Sequence, residues 1–169
     1  MSDEEIKIHR GLNNVYFDRT KTTYINGKEG VLEYRGYNIH DLSEKSSFEE
    51  VSYLLLYGKL PTKNELDAFN NSLKESREIP SQVIDIIKSI KDSHPMDVLR
   101  TAVSALSAFD EEASDKGYDA TMRKGIRLTS QVPTIVMAHN SIRNGKDPVE
   151  PSKELSHAAN FIYMLDGEI

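Results

Sequence analysis

The sequence predicts an all-α, multi-helical protein with a small β-hairpin near its N-terminus. Three observations predict it. β character is confined to residues 15–40, helix start and stop signals recur from residue 41 onward, and apolar residues there repeat at spacings of three and four. In the first stretch, Thr22-Thr23-Tyr24-Ile25 and Val31-Leu32-Glu33-Tyr34 flank Asn26-Gly27, a hairpin signal, and a further turn is expected at Arg35-Gly36.

The helices follow in order. Ser47-Phe48-Glu49-Glu50 has a serine N-cap with a glutamate three positions later, so that each can satisfy an orphan amide, and Gly58 ends that helix. Thr62-Lys63-Asn64-Glu65 repeats the capping box, and Leu66, Phe69 and Leu73 carry the helix toward Arg77. Pro80 marks the next start, for a short helix bearing Val83, Ile84, Ile86, Ile87 and Ile90. Pro95 suits the first position of a helix over about 95–109 that is apolar around most of its circumference, which predicts cover by neighbours or by a partner subunit. A long helix over about 120–143 contains Pro133, which removes a ladder amide and predicts a kink, and Asn144-Gly145 closes it. Pro148 and Pro151 lie in an extended connector before a last helix over about 153–165. No repeat or flexible linker divides these elements, so 1–169 reads as one domain, with an arm and hairpin over 1–40 and helices over 41–169.

Composition narrows the function classes. The chain has 169 residues and a net charge of −6, which argues against a sequence-independent nucleic-acid surface because phosphate neutralisation needs a basic face. Cysteine is absent, which removes disulfides, thiolate metal sites and cysteine nucleophiles. The acidic start at Met1-Ser2-Asp3-Glu4-Glu5 lacks the character of an export signal, and no apolar run approaches the roughly 20 residues that span a bilayer. The expectation is a cytoplasmic protein with no membrane partner.

Searches for nucleotide-binding, P-loop, zinc and serine-hydrolase motifs are empty. His9, His40, His94, His139 and His157 are far apart, none at the i, i+4 spacing of a helical metal site, so no metal is expected. His94 precedes a helix N-terminus with Asp97 and Arg100 nearby, a place where a neutral imidazole can donate to a carbonyl, but a locally packed cap is the commoner use of such a residue. His139 reads as a partly buried structural ring. Lys74 and Arg77, placed in the last turn of their helix, are the candidate substrate-binding residues, a cation pair suited to phosphate or carboxylate; complementing the helix C-terminus is their ordinary alternative.

Several strings taken in order carry a resemblance. Arg10-Gly11-Leu12 with Val15 comes first, then Gly30-Val31-Leu32-Glu33-Tyr34-Arg35-Gly36-Tyr37-Asn38-Ile39-His40-Asp41-Leu42, which fits G-x-L-x-Y-R-G-Y-x-I-x-D-L. The run from Phe48 to Thr62, the run His94-Pro95-Met96-Asp97-Val98-Leu99-Arg100-Thr101-Ala102-Val103-Ser104-Ala105-Leu106, and Ala158-Ala159-Asn160-Phe161-Ile162-Tyr163-Met164-Leu165 follow. Together they resemble the N-terminal part of the citrate synthase family, including its 2-methylcitrate synthase relatives.

The resemblance implies part of the large domain of an almost entirely helical homodimer, joined through the helices at about 95–109 and 120–143. It implies condensation of acetyl-CoA or propionyl-CoA with oxaloacetate, with the acyl-CoA a substrate and no cofactor. Proton removal from a thioester α-carbon needs a carboxylate base and donors to the enolate and ketone oxygens. In the family these are an Asp and two His, in Pro-Asn-x-Asp, Gly-Pro-Leu-His-Gly-Gly-type and Gly-His segments. None matches here, so no catalytic residue is assigned within the chain, all three being expected beyond Ile169. The expected role is a portion of such an enzyme, inactive alone; the alternative is a non-catalytic dimerisation or regulatory module built on the same fold.

Overall fold

The computed structural model describes residues 8–12, 15, 16 and 18–168; the acidic start at Met1 to Glu5 lies outside them. Three short strands, β1 (Thr23–Asn26), β2 (Val31–Tyr34) and β3 (Tyr37–Asn38), form an antiparallel sheet in the order β1-β2-β3. The expected hairpin is thus extended by a third strand, and its two turns exchange roles.

Asn26 pairs with Val31 across a four-residue loop, where Asn26 Oδ1 accepts from the amides of Lys28 (3.2 Å) and Glu29 (3.3 Å). The tight two-residue turn is Arg35-Gly36, both with positive φ (52° and 87°), joining Tyr34 to its partner Tyr37. Arg35 is held in that disfavoured backbone region because its guanidinium donates to the Leu55 carbonyl at 3.0 Å.

Seven α-helices follow among the described residues: α1 (Ile39–Lys45), α2 (Phe48–Tyr57), α3 (Lys63–Glu75), α4 (Ser81–Ser89), α5 (Pro95–Leu106), α6 (Tyr118–Arg143) and α7 (His157–Asp166). Both capping boxes form as expected, with Ser47 and Glu50 at α2 and Thr62 and Glu65 at α3. Gly58 ends α2 with φ 81°.

Several boundaries differ from expectation, among them the start of α6, at Tyr118 and not near 120. α3 stops at Glu75 with Ser76 as its cap, leaving Arg77 outside the helix. α5 ends at Leu106 and passes into a 3-10 turn over Ser107–Phe109. α7 begins at His157 instead of 153, because the Ser156 side chain accepts from the Ala159 amide and fixes the start there.

α6 is the spine, contacting α3, α4, α5 and α7. It runs through Pro133 as one helix from Tyr118 to Arg143. Val83 and Ile87 of α4, Val98, Ala102 and Leu106 of α5, and Ile135, Ala138 and Ile142 of α6 make the larger core, each set at helical spacing. Tyr53, Phe69 and Leu73 make a second core between α2 and α3, against Ile126 of α6.

α5 therefore buries one face inside the chain, with Leu99, Val103 and Ala105 half-buried on the same core and Met96 exposed (62%). The loop after α5 is clipped onto α6 by charge. Arg127 bonds both oxygens of Asp110 at 2.9 Å and Glu112 at 2.9 Å, while Arg123 also bonds Glu112. Hydrogen bonds from Arg123 and then Arg127 hold the Glu112 carboxyl down to about 2. No described helix is long and apolar enough to cross a membrane.

Candidate functional site

The polar residues of the chain converge where the start of α2, the end of α3 and the start of α7 meet. Ser47 opens α2, which puts Glu49 in its first turn and turns that side chain inward. Glu49 Oε1 accepts from the His157 backbone amide at 2.8 Å. A carboxylate from α2 thereby caps the positive end of α7, a favourable pairing of charge and helix dipole.

The His157 ring stacks flat on Phe48, with centroids 4.6 Å apart and planes 3° from parallel. It is 6% exposed. Burial, and next the positive charge of Arg77, lower its pKa, and Glu49 opposes this only in part.

Arg77, 2% exposed, reaches from the turn after α3 into the segment before α7. Its guanidinium donates to the carbonyls of Ser152 and of Leu155, the latter at 3.0 Å. Its own carbonyl accepts from Thr134 Oγ1 of α6 at 2.8 Å. Lys74 Nζ, half-buried, donates to the Glu154 carbonyl at 2.9 Å. Asn160 Oδ1 accepts from the Ser152 amide at 2.8 Å, and Lys153 pairs with Glu75 at 3.1 Å. Between them lies a cavity of about 140 Å³ lined by Glu49, Asn70, Leu73, Lys74, Arg77, Ser156 and His157.

Lys74 and Arg77 line one cavity, although Arg77 lies beyond the last turn of α3 in which the sequence placed it, and both have backbone carbonyls as partners. Glu49, Asn70, His157 and Asn160 complete the cluster and were not singled out by sequence. The serine N-cap at Ser156 is the signal that could have placed His157 at a helix start.

The other candidates lie elsewhere. His94 is the exposed N-cap of α5, its Nδ1 accepting from the Met96 amide at 3.2 Å, and Asp97 pairs with Arg100 at 3.1 Å in exposed surface. His139 is buried with Nε2 3.0 Å from the Lys91 carbonyl. Among the described residues no group of three His, Asp or Glu is arranged to hold a metal. The cluster at α2, α3 and α7 can hold charge and orient backbone; it contains no nucleophile set against a base.

The lowered His157 pKa predicts a pH dependence. The unfolded imidazole takes a proton near 6.5, whereas the buried one does so only at lower pH. Protonation therefore favours the unfolded chain. The contribution of neutral His157 is complete above about 6.5 and is lost as pH falls toward the folded value. His157→Phe keeps a stacking ring without the titration, so urea unfolding of this variant should show a shallower loss of stability between pH 7.5 and pH 5 than the parent chain. Equal slopes would contradict the assignment.

His157 also lines, with Phe48, Leu128, Val132, Pro133, Phe161 and Ile162, an apolar groove of about 650 Å³ between α6 and α7. Phe48 is 50% and Ile162 61% exposed.

Comparison with known proteins supplies what the geometry alone does not. Residues 11–169 match the family profile described as "Citrate synthase, C-terminal domain". Citrate synthase of Haloferax volcanii is 42% identical over 167 residues, covering 96% of this chain and 44% of that protein. Citrate synthase of Deinococcus radiodurans is 45% identical over 161 residues, covering 95% and 43%. The crystal structure of citrate synthase from Pyrobaculum aerophilum superposes with a TM-score of 0.90 at 38% identity, over 95% of this chain and 42% of that one. The chain thus spans well under half the length of these relatives. With a profile match over nearly all of its residues, it belongs to the citrate synthase family.

Proposed function

We propose that this chain is the N-terminal portion of a citrate synthase-type enzyme that joins the α-carbon of acetyl-CoA, or of propionyl-CoA, to the ketone carbon of oxaloacetate. Water then hydrolyses the thioester, releasing the CoA thiol and citrate or 2-methylcitrate. The observation that carries this reading is coverage: the match takes in 96% of the chain but 44% of the Haloferax volcanii citrate synthase.

The chain's own chemistry agrees with a partial enzyme. His94 caps a helix, His139 bonds a carbonyl, and His157 is stacked and buried with the Glu49 carboxylate bonded to its backbone amide, so none of the three presents its ring to a carboxylate in the pairing that α-proton removal requires. The proposed catalytic Asp and two His belong to the remainder of the enzyme, beyond Ile169. The apolar groove between α6 and α7 is further support, since so much uncovered apolar surface suits a chain that packs against more protein.

Within this proposal Lys74 is the stronger substrate-contacting candidate of the two cations. It is half-buried and spends one of three donors on Glu154, whereas Arg77 anchors the segment before α7. The working form is a cytoplasmic homodimer joined through the helices at about 95–109 and 120–143, without a cofactor.

The test follows CoA thiol release spectrophotometrically from acetyl-CoA or propionyl-CoA with oxaloacetate. The purified 169-residue chain should give no signal above the uncatalysed rate. Addition of the remaining polypeptide of a relative should restore it, and robust turnover by the chain alone would overturn the proposal.

A further inference from the structure

Asparagine followed by glycine occurs twice in the chain, at Asn26-Gly27 and at Asn144-Gly145. Such a pair is chemically labile, because the glycine amide, unshielded by a Cβ, can attack the asparagine side-chain carbon and expel ammonia. Both pairs share the same nucleophile and leaving group, so a difference in their reactivity has to come from the fold. The structure places the two in opposite states.

At Asn144-Gly145 the reacting groups are engaged. The Gly145 amide donates to the Ile142 carbonyl at 3.0 Å, while the Asn144 and Lys146 amides donate to the Ser141 carbonyl at 3.1 and 2.9 Å, closing the end of α6. The Asn144 side-chain nitrogen donates to the Asn140 carbonyl at 2.8 Å. Attack there would draw the nucleophile out of a hydrogen bond and undo that closure.

At Asn26-Gly27 the arrangement is reversed. Asn26 ends β1, and the Gly27 amide makes no hydrogen bond among the described residues. The amides of Lys28 and Glu29 donate to Asn26 Oδ1 at 3.2 and 3.3 Å, where they stabilise the negative charge that develops on this oxygen during attack. Glu29 Oε2 accepts from Asn26 Nδ2 at 2.8 Å and fixes the side chain in place. The loop is exposed from Gly27 to Gly30, and a Cβ added at Gly27 would meet nothing within 4 Å, so water reaches the site.

We propose that Asn26 is a site of spontaneous deamidation prepared by its hairpin loop, and that Asn144 is protected by the helix end it closes. The Gly27 nitrogen bonds to Asn26 Cγ, the Cγ–Nδ2 bond breaks, and the proton given up by Gly27 leaves with Nδ2 as ammonia, forming a cyclic imide. Water then opens either imide C–N bond, giving an aspartate or an isoaspartate whose main chain runs through the former side chain. Both products set a new carboxylate against Glu29 where a donor now stands at 2.8 Å. Isoaspartate also adds a methylene to the backbone beside the Asn26 and Val31 pair. The β1 and β2 hairpin thereby loosens as the molecule ages, whatever reaction the chain serves.

The test ages the full chain in mildly alkaline buffer at physiological temperature and follows both asparagines by peptide mapping with mass spectrometry. Enzymatic methylation of isoaspartate identifies the product. Modification at Asn26 should outrun that at Asn144 by about tenfold, the factor that corresponds to about one hydrogen bond. In denaturing urea, where both local structures are lost, the two rates should converge. Gly27→Ala, whose Cβ has room in the folded loop, should slow the reaction at Asn26 and leave Asn144 unchanged. An intact Asn26, equal rates in the folded chain, faster loss of Asn144 or a gap that persists in urea would each overturn the proposal without recourse to the variant. So would an unchanged rate at Asn26 in folded Gly27→Ala.

Discussion

Arg77→Ala is expected to lower the unfolding free energy by about 3–5 kcal/mol, read as a shift of the urea midpoint. Its guanidinium donates to two carbonyls, those of Ser152 and Leu155, in a site where Arg77 itself is 2% exposed. Hydrogen bonds to charged groups contribute about 1.5–3 kcal/mol each, and truncation also opens space beside Leu73 and Asn70. Against a typical domain stability of about 5–15 kcal/mol, such a loss leaves the chain marginally folded. Arg77→Lys should recover only part of it, because a single ammonium on a shorter fork-less stem does not reproduce two fixed donors. A loss below about 1 kcal/mol for the alanine variant would mean that the segment before α7 is held by other contacts.

Glu49→Ala should cost about 2–3 kcal/mol by the same measurement. It removes a carboxylate that accepts from a buried backbone amide at 2.8 Å and neutralises the positive end of α7. Glu49→Gln keeps an acceptor and loses the charge, so about 1 kcal/mol is expected. Glu49 and Arg77 line one cavity, and their double variant should depart from additivity by more than about 0.5 kcal/mol. Strict additivity would show that the two ends of the junction act independently.

What the sequence disclosed and what it hid divide along the distance between partners. The boxes at Ser47 with Glu50 and Thr62 with Glu65, and the glycine stop at Gly58, are legible because both partners lie within one helical turn. The core of α4, α5 and α6 is legible from the spacing of Val83 and Ile87, of Val98, Ala102 and Leu106, and of Ile135, Ala138 and Ile142.

Arg77 is misplaced by the same local reasoning. Its periodic neighbours Leu66, Phe69 and Leu73 suggest a helix that reaches it, but Ser76 ends α3 and the guanidinium finds its partners 75 and 78 residues away. Asn26-Gly27 carries the stronger turn signal, yet the tight turn forms at Arg35-Gly36. There Tyr34 opposes Tyr37 and the Leu55 carbonyl secures the arginine, a contact no local pattern announces. His157 was one of five dispersed histidines until the fold stacked it on Phe48 and set Glu49 against its amide. The family resemblance was legible throughout because it lies in ordered strings.

The bond from Glu49 to His157 spans 108 residues. A ribosome that has finished α2 and α3 must still make α4, α5 and α6 before the group that completes the Glu49 junction exists. During that interval Phe48 and Glu49 are without their partner His157, and Arg77 is without its carbonyl partners at Ser152 and Leu155. The slow arrival of α7 makes the closing of this junction a late event of biosynthesis, favoured by any delay that keeps the early helices from pairing elsewhere.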